Sequence, residues 1–292
     1  AYDWYNVGKL RNSGFEFDLN VKLIQKKDWY WDMSVNGYTY ANKMLNLPDE
    51  YKVSGMPNGN QRIYEGKDIY RWEMRQFAGL DEKGNSLWYM DRDLTDGEGN
   101  VVGVEKVTTG DATEATQYLL EKSALPDFTG GLNTTLRWKS LDLTIMTNFQ
   151  FGGYGYDYDF SAFSSANFPM NRLKNYADAW NPETGKGSAP IWNTNDSNIN
   201  ASSDRFLISK TYFNLRNITL GYTFPANWMS KIGIKSVRVY FACDNVFFAS
   251  KRKGYDPRTS MGGQGATVAL NSVDGTYYSP IRTTSVGLNI NF

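Results

Sequence analysis

The side chains available for chemistry in this chain are amides, carboxylates, guanidinium groups and aromatic rings. Its 292 residues include no histidine and one cysteine, Cys243. The commonest general base and zinc ligand is therefore missing, and neither an internal disulfide nor a histidine-dependent hydrolytic triad can form. No residue is assigned as catalytic, and no cofactor motif stands out. The remaining side chains suit recognition. Asn148, Gln150 and Asp244 can hydrogen-bond hydroxyl or amide groups. Trp72, Trp88, Trp180, Trp192, Tyr154, Tyr156 and Tyr158 can stack on sugar rings or pack the segments that carry them. Arg137, Asp142, Arg216 and Arg238 are placed for cross-strand pairing or for contact with another domain. The stretch from Asp91 to Gly99 is faintly similar to a calcium loop. An EF-hand needs Gly at the sixth position and Glu at the twelfth, where Asp96 and Val102 stand, so a solvated turn is expected and no metal site is assigned.

The elements that must position these groups are strands. Apolar Phe15, Phe17, Leu19, Val21 and Leu23 alternate with Glu16, Asp18, Asn20 and Lys22, the period-2 pattern of a strand with one greasy and one polar face. A turn at residues 25–28 leads into a second strand, Trp29 to Tyr40. Alternation returns at Leu132 to Trp138 and, after a turn at Lys139-Ser140, at Leu141 to Phe151. The next strand, Phe206 to Phe224, changes phase near Asn217, which predicts a β-bulge. After residues 225–233 another strand carries Val237, Val239 and Phe241. The last runs from Tyr277 and ends in Val286, Leu288, Ile290 and Phe292, alternating with Ser285, Gly287, Asn289 and Asn291.

Seven long strands joined by alternately short and long connections fit a transmembrane antiparallel β-barrel, an all-β fold whose side chains alternate between lipid and a polar lumen. The mean hydropathy of −0.53 is compatible with that fold, because only alternate residues face lipid. Nine Trp and 20 Tyr supply aromatic girdles. Short turns at 25–28, 139–140 and 225–233 are expected on the periplasmic side, with Trp29, Trp31, Trp138, Tyr222, Phe224, Trp228 and Phe292 near them. Excursions at 46–127, 157–204 and 249–275 are expected outside. The first holds a short hairpin, Ile69 to Gly79 with Ser86 to Met90, and the second an amphipathic helix from Asn171 to Trp180. On this topology Asn148, Gln150 and Asp244 line the upper lumen, and Arg137, Asp142, Arg216 and Arg238 line its lower half. Lysines and arginines equal aspartates and glutamates, 31 each, and no basic block occurs, so nucleic acid is not an expected partner. Seven strands do not close by themselves over such a lumen, which predicts the carboxy-terminal part of a larger barrel.

Several stretches carry a resemblance. Asn6-Val7-Gly8-Lys9-Leu10-Arg11-Asn12-Ser13-Gly14-Phe15-Glu16 resembles a segment of SusC-like, or RagA-like, TonB-dependent transporters of the Bacteroidetes outer membrane. So do Phe77-Ala78-Gly79-Leu80-Asp81 with Leu87-Trp88-Tyr89, Pro126 to Leu132, Leu215 to Tyr222, and Asp244-Asn245-Val246-Phe247 with Lys253-Gly254-Tyr255-Asp256-Pro257. The terminal Phe292 resembles the signal read by the barrel-insertion machinery. The resemblance implies a plugged barrel of about 22 strands, of which these are the last seven. It also implies coupling to the TonB complex through an amino-terminal plug domain, a SusD-like surface lipoprotein as lid, and import of a glycan or a peptide. Arg137, Asp142, Arg216 and Arg238 would then face the plug. Two other classes compete: a passive porin or adhesion barrel, which needs neither plug nor lid, and a soluble sugar-binding sandwich.

Overall fold

The computed structural model describes residues 8–164, 178–193, 196, 198–229, 231, 233–251 and 281–292. In chain order the strands begin with β1 (Lys9–Gln25), β2 (Trp29–Asn46), β3 (Met56–Asn58), β4 (Gln61–Ile63), β5 (Arg71–Arg75), β6 (Phe77–Leu80), β7 (Ser86–Thr95), β8 (Val101–Thr109) and β9 (Gln117–Ser123). They continue with β10 (Phe128–Trp138), β11 (Leu141–Phe151), β12 (Tyr154–Tyr156), helix α1 (Tyr158–Phe163), β13 (Leu207–Ser209), β14 (Tyr212–Thr223), helix α2 (Ala226–Met229), β15 (Ser236–Ser250) and β16 (Thr283–Asn291).

The seven strands with alternating sequence form one antiparallel sheet in the order β1-β2-β10-β11-β14-β15-β16. Register converts the alternation of each strand into two continuous faces. One row reads Trp31, Leu136, Leu143, Leu220, Phe241 and Val286, and the next row on the same face reads Val21, Met33, Thr134, Ile145, Ile218, Cys243 and Thr284. Between them, on the opposite face, lie Lys22, Asp32, Thr135, Thr144, Thr219, Ala242 and Ser285. The apolar face is exposed, with Phe15 at 67% and Val286 at 75%. Apolar surface left bare in water forgoes about 25 cal/mol per Å², so the solvent that fits this face is lipid.

Aromatic rings mark both ends of that face. At the turn end Trp29 and Trp138 are 5.7 Å apart, and Tyr222 meets Phe224 at 5.2 Å. At the other end, where the long excursions leave, a ladder runs from Phe15 to Phe17 (6.2 Å), Phe128 (6.4 Å), Phe149 (6.1 Å) and Phe151 (5.5 Å). Gly37 and Gly130, direct partners in register, make room for it: a Cβ on Gly37 would lie 2.4 Å from Phe128 Cζ. Along β10 from Phe128 to Trp138 the chain advances about 34 Å at about 3.4 Å per residue. At the tilt of roughly 35–45° usual for outer-membrane strands this spans about 24–28 Å, the height of a barrel's apolar band.

The turns Lys26–Asp28 and Lys139–Ser140 lie where the sequence places them, Lys139 adopting a positive φ of 53°. The phase change is a bulge: Arg216 is skipped between Leu215 and Asn217 in the pairing with both β11 and β15. Strand β14 begins only at Tyr212, whereas the sequence pattern suggests Phe206. Asp204–Phe206 form a 3₁₀ turn that buries Phe206 at 1% exposure, and Leu207–Ser209 pair with β12. Residues 171–177 of the expected helix lie outside the described residues, and Trp180 is not helical. Residues 252–280, which include most of the 249–275 excursion and the start of the expected last strand, also lie outside them.

The 46–127 excursion holds far more order than one hairpin. The expected arm Ile69 to Gly79 is split. Residues 77–80 turn at Asp81–Asn85 and pair with β7, whereas β5 pairs with β4 and β9. Strand β7 is longer than expected and forms a second hairpin with β8. Three small cores hold this layer: Trp72, Met74, Leu120, Tyr156, Phe206 and Leu207; Met44, Leu47 and Ile63; and Trp88 with Ala112 and Ala115. The first includes residues from β5, β9, β12 and β13, so the layer is stitched to the segment between β11 and β14.

Candidate functional site

The polar face of the seven-stranded sheet is the surface that can meet a solute. Near the turn end one row reads Tyr30, Arg137, Asp142, Gly221, Tyr240 and Gly287. Arg238 reaches over Gly221 to Asp142: its Nε donates to Asp142 Oδ1 at 3.1 Å, and its Nη2 donates to Oδ2. Glycine at 221 is required for that path, since a Cβ there would lie 2.3 Å from Arg238 Nη2 and 2.6 Å from Asp142 Oδ1. The Tyr240 ring likewise lies over Gly287. Arg137, opposite Asp142 in register, lies 5.2 Å from the Tyr30 ring centre. Three of the four charges singled out in the sequence thus come together, Arg137 and Asp142 within this row and Arg238 from its place opposite Thr223. Arg216, the bulged residue, lies several rows away and is exposed.

Higher on the same face an amide ladder replaces the charges. Asn214 donates to Asn148 Oδ1 at 2.8 Å, and Asn148 donates to the Tyr212 hydroxyl at 3.3 Å. Asn217 donates to Asp244 at 2.8 Å, and Gln150 donates to the Lys210 carbonyl at 3.3 Å. Asn148, Gln150 and Asp244 therefore stand on one wall, partly engaged with cross-strand neighbours. Asn214 is 2% exposed, and its own Oδ1 has no partner among the described residues. The sequence reading missed Asn214, Asn217, Gly221 and Tyr240. Their even spacing from Asn148 and Asp142 across the turns would have found them.

The aromatic candidates separate. Trp72, Trp88 and Tyr156 are 3%, 2% and 5% exposed and form cores, which corrects the expectation that their faces can stack on a ligand. Trp72 donates its indole N–H to the Tyr154 carbonyl at 3.1 Å. Tyr154 and Tyr158 pack against the same core, Tyr158 at 4.6 Å from Tyr156. Trp180 is seated against Gly84, where a Cβ would meet its ring at 2.2 Å. Trp192 keeps 46% of its surface exposed.

The Asp91–Gly99 stretch is a hairpin. Asp91 accepts the Tyr118 hydroxyl at 2.6 Å, and Lys106 lies 4.4 Å and 4.3 Å from the rings of Tyr89 and Tyr118. Burial first, and then the Asp91 carboxylate, push the Tyr118 phenol up to about 12. Asp96 accepts from the backbone of Asn100 at 2.9 Å, from the Asn100 side-chain amide at 3.2 Å and from the backbone of Glu98 at 2.9 Å, which hold its carboxyl below the usual range. Where the layer meets the sheet, Lys210 is 8% exposed with its ammonium on the Ala124 carbonyl at 3.3 Å, and burial pushes its pKa down.

This geometry, a lipid-facing sheet with a stitched polar face and a folded layer over one end, has counterparts among known proteins. No family model matches the chain. It is 26% identical over 294 residues to the TonB-dependent receptor SusC of Bacteroides thetaiotaomicron, covering 98% of this chain and 27% of that protein. It is 25% identical over 308 residues to the TonB-dependent receptor P3 of Formosa agariphila, covering 98% and 29%. Among solved structures, it superposes on the RagAB peptide transporter with a TM-score of 0.73 at 26% identity, covering 98% of this chain and 30% of the matched one. The RagAB peptide importer in its closed-closed state gives 0.74 at the same identity and coverage. The chain spans under a third of the length of these relatives. The fold is that of a membrane-spanning sector of a TonB-dependent outer-membrane transporter. Among such transporters the chain is similar to SusC and to the RagAB transporter.

Proposed function

We propose that the chain is the carboxy-terminal seven-strand sector of a SusC-like importer that carries a nutrient across the outer membrane. The observation that supports this most directly is the folded layer of β3 to β9 with β12 and β13 over one end of a lipid-facing sheet. A passive pore needs only connections there, and loops longer than about 12–15 residues are usually functional or disordered. Three aromatic or aliphatic cores keep this layer ordered. Strands β1 and β16 are the outer strands of the sheet, and an open edge in hydrocarbon leaves backbone groups unsatisfied at several kcal/mol each. Further strands of a barrel of about 22 therefore close on both edges.

In this reading the turn end faces the periplasm, and the Arg137–Asp142–Arg238 cluster faces a plug domain through which the TonB complex supplies energy. The amide wall of Asn148, Gln150 and Asp244, with Asn214 buried behind Asn148 and holding it, meets the solute together with the exposed Trp192. The layer receives a SusD-like lipoprotein lid. Amides and carboxylates in this arrangement suit a substrate dense in hydroxyl or amide groups, a glycan or a peptide. The test uses the full-length protein with residues 49–124 replaced by a short linker, beside a variant shortened only at Asp81–Asn85. Both should insert in the membrane. The first should lose co-purification of the lid and growth on the imported nutrient, and the second should keep both. Normal lid retention and growth with the first deletion would remove the importer reading's main support.

A further inference from the structure

Above the phenylalanine ladder the outward face of β1 and β2 turns cationic. Arg11 and Lys43 are direct partners in the antiparallel pair. They lie on the parity of Phe15 and Phe17, away from Asn42 and Met44, which are buried beneath the folded layer. Like charges directly opposite each other destabilise a sheet, and among the described residues neither side chain has an ion-pair partner. A third cation joins them from the layer. The Lys67 carbonyl accepts the Met44 N–H at 2.9 Å, which fixes Lys67 beside Lys43. The three line a cleft of about 360 Å³ with Arg71 and a single acid, Asp68. Asp68 is already committed: Oδ2 is 3.2 Å from Arg71 Nε, and Oδ1 accepts from Ser123 at 2.7 Å and from the Tyr70 N–H at 3.1 Å. Glu121 also pairs with Arg71 and faces Lys67, so two acids oppose the four cations of the cleft, which keeps a net positive charge.

Its height identifies what can neutralise it. Arg11 lies four residues beyond Phe15, about 14 Å along the strand and about 10 Å along the membrane normal at barrel tilt. That is the depth of lipid headgroups on the side where the layer stands. We infer that Arg11, Lys43 and Lys67 form a binding site for the phosphate of an outer-leaflet lipid headgroup. This goes beyond import and uses only the membrane placement and the outward position of the layer. The headgroup phosphate relieves the Arg11–Lys43 repulsion, and the acyl chains descend along Phe15 and Phe17. A bound lipid therefore clamps the β1–β2 hairpin to the overlying 65–71 segment.

The experiment measures binding of a phosphorylated glucosamine-disaccharide lipid to the detergent-purified full-length protein by native mass spectrometry. The same lipid with its phosphate removed, and inorganic phosphate as competitor, are run alongside. Each cation near an anionic headgroup contributes roughly a factor of five. The Arg11→Gln, Lys43→Gln, Lys67→Gln triple variant should therefore bind roughly a hundredfold more weakly, and Lys43→Gln alone roughly fivefold. Heat-modifiable gel migration and uptake are followed in parallel and should be unchanged, so a failure of the importer reading would show separately. The wild-type protein tested with the dephosphorylated lipid gives an answer that does not depend on any variant folding. Equal binding of the two lipids, or equal binding by the triple variant, overturns the inference. Displacement by millimolar inorganic phosphate would mean a free-anion site and overturns the assignment to lipid.

Discussion

Replacing Gly221 by alanine tests whether a missing side chain shapes the polar face. The added methyl would lie 2.3 Å from Arg238 Nη2 and 2.6 Å from Asp142 Oδ1, so the two-point contact between them must open. The Arg238 and Asp142 side chains keep 28% and 20% of their surface, which screens the pair partially. Charge-assisted hydrogen bonds of this kind contribute about 1.5–3 kcal/mol net when well buried, and a partly wet pair about 1–2 kcal/mol. Against that loss, alanine restricts the unfolded chain relative to glycine by about 0.4–1 kcal/mol. The expected result is a net destabilisation of about 0.5–1.5 kcal/mol. In a background carrying Asp142→Ala and Arg238→Ala both obstacles are gone, and the same Gly221→Ala change should become neutral or stabilising by about 0.5 kcal/mol. The assay is urea unfolding of the full-length protein in phospholipid vesicles, followed by tryptophan fluorescence and gel mobility. The difference between backgrounds, about 1–2 kcal/mol, is the coupling. Equal destabilisation in both backgrounds would refute the reasoning.

Other consequences can be measured in the same preparation. Phe206→Ala removes a ring 5.9 Å from Tyr156 and 5.3 Å from Phe160. It should cost the layer about 3–5 kcal/mol, seen as rapid proteolysis within 46–127 while the membrane sheet stays resistant. Lys210→Met should stabilise the layer at pH 7 by removing a buried ammonium. Because burial lowers the folded-state pKa, the unfolded chain holds more protons as pH climbs toward 10.5, so wild-type stability rises there and its deficit against the variant shrinks. A pH-independent difference between the two would contradict this account. Cys243, on the lipid face between Ile218 and Thr284 in register, should resist a membrane-impermeant thiol reagent until the protein is unfolded. Labelling in intact cells would place that face in water.

The membrane sheet was legible because each strand's alternation is a one-dimensional record of its two solvents. Phe15 to Leu23, Leu132 to Phe151 and Val286 to Phe292 each carry it locally, and even the phase slip at Arg216 shows as a change of parity. The layer was legible only at the turn and second arm of its β6–β7 hairpin. Its strands are three to ten residues long, and those that join it together pair with partners far off in sequence: Arg71 opposite Ser123, Tyr156 opposite Leu207. Trp72, Trp88 and Tyr156 fit a ligand platform or a packed loop equally well in the sequence, because aromatic residues in long excursions look alike whether buried or bare, and only packing separates them. The outer phenylalanine ladder is hidden in the sequence for a related reason. Its rings come from β1, β10 and β11, and the two glycines that seat it, Gly37 and Gly130, are 93 positions apart by number. Alternation places Arg137, Asp142 and Arg238 on the polar parity of their strands, but the meeting of Asp142 and Arg238 over Gly221 depends on register that no single strand records.

The bulge at Arg216 has a mechanical consequence. Between the same two lipid-facing rows β11 takes two steps, from Ile145 to Thr147; β14 takes three, from Ile218 back to Leu215; and β15 takes four, from Cys243 to Phe247. Asn245, with a φ of 50°, sits within the longest path. Each strand thus lengthens by one residue relative to the last, so the wall bends and twists along a diagonal crease. Below the crease, registered hydrogen bonds make a stiff plate. Above it, β14 and β15 pair again from Leu215 opposite Phe247 to Tyr212 opposite Ser250, and the amides of Asn214 and Asn217 fall on opposite sides of the fold line. Motion of the upper plate can then change the spacing of those amides while the lower plate, with its Asp142–Arg238 tie, holds its shape.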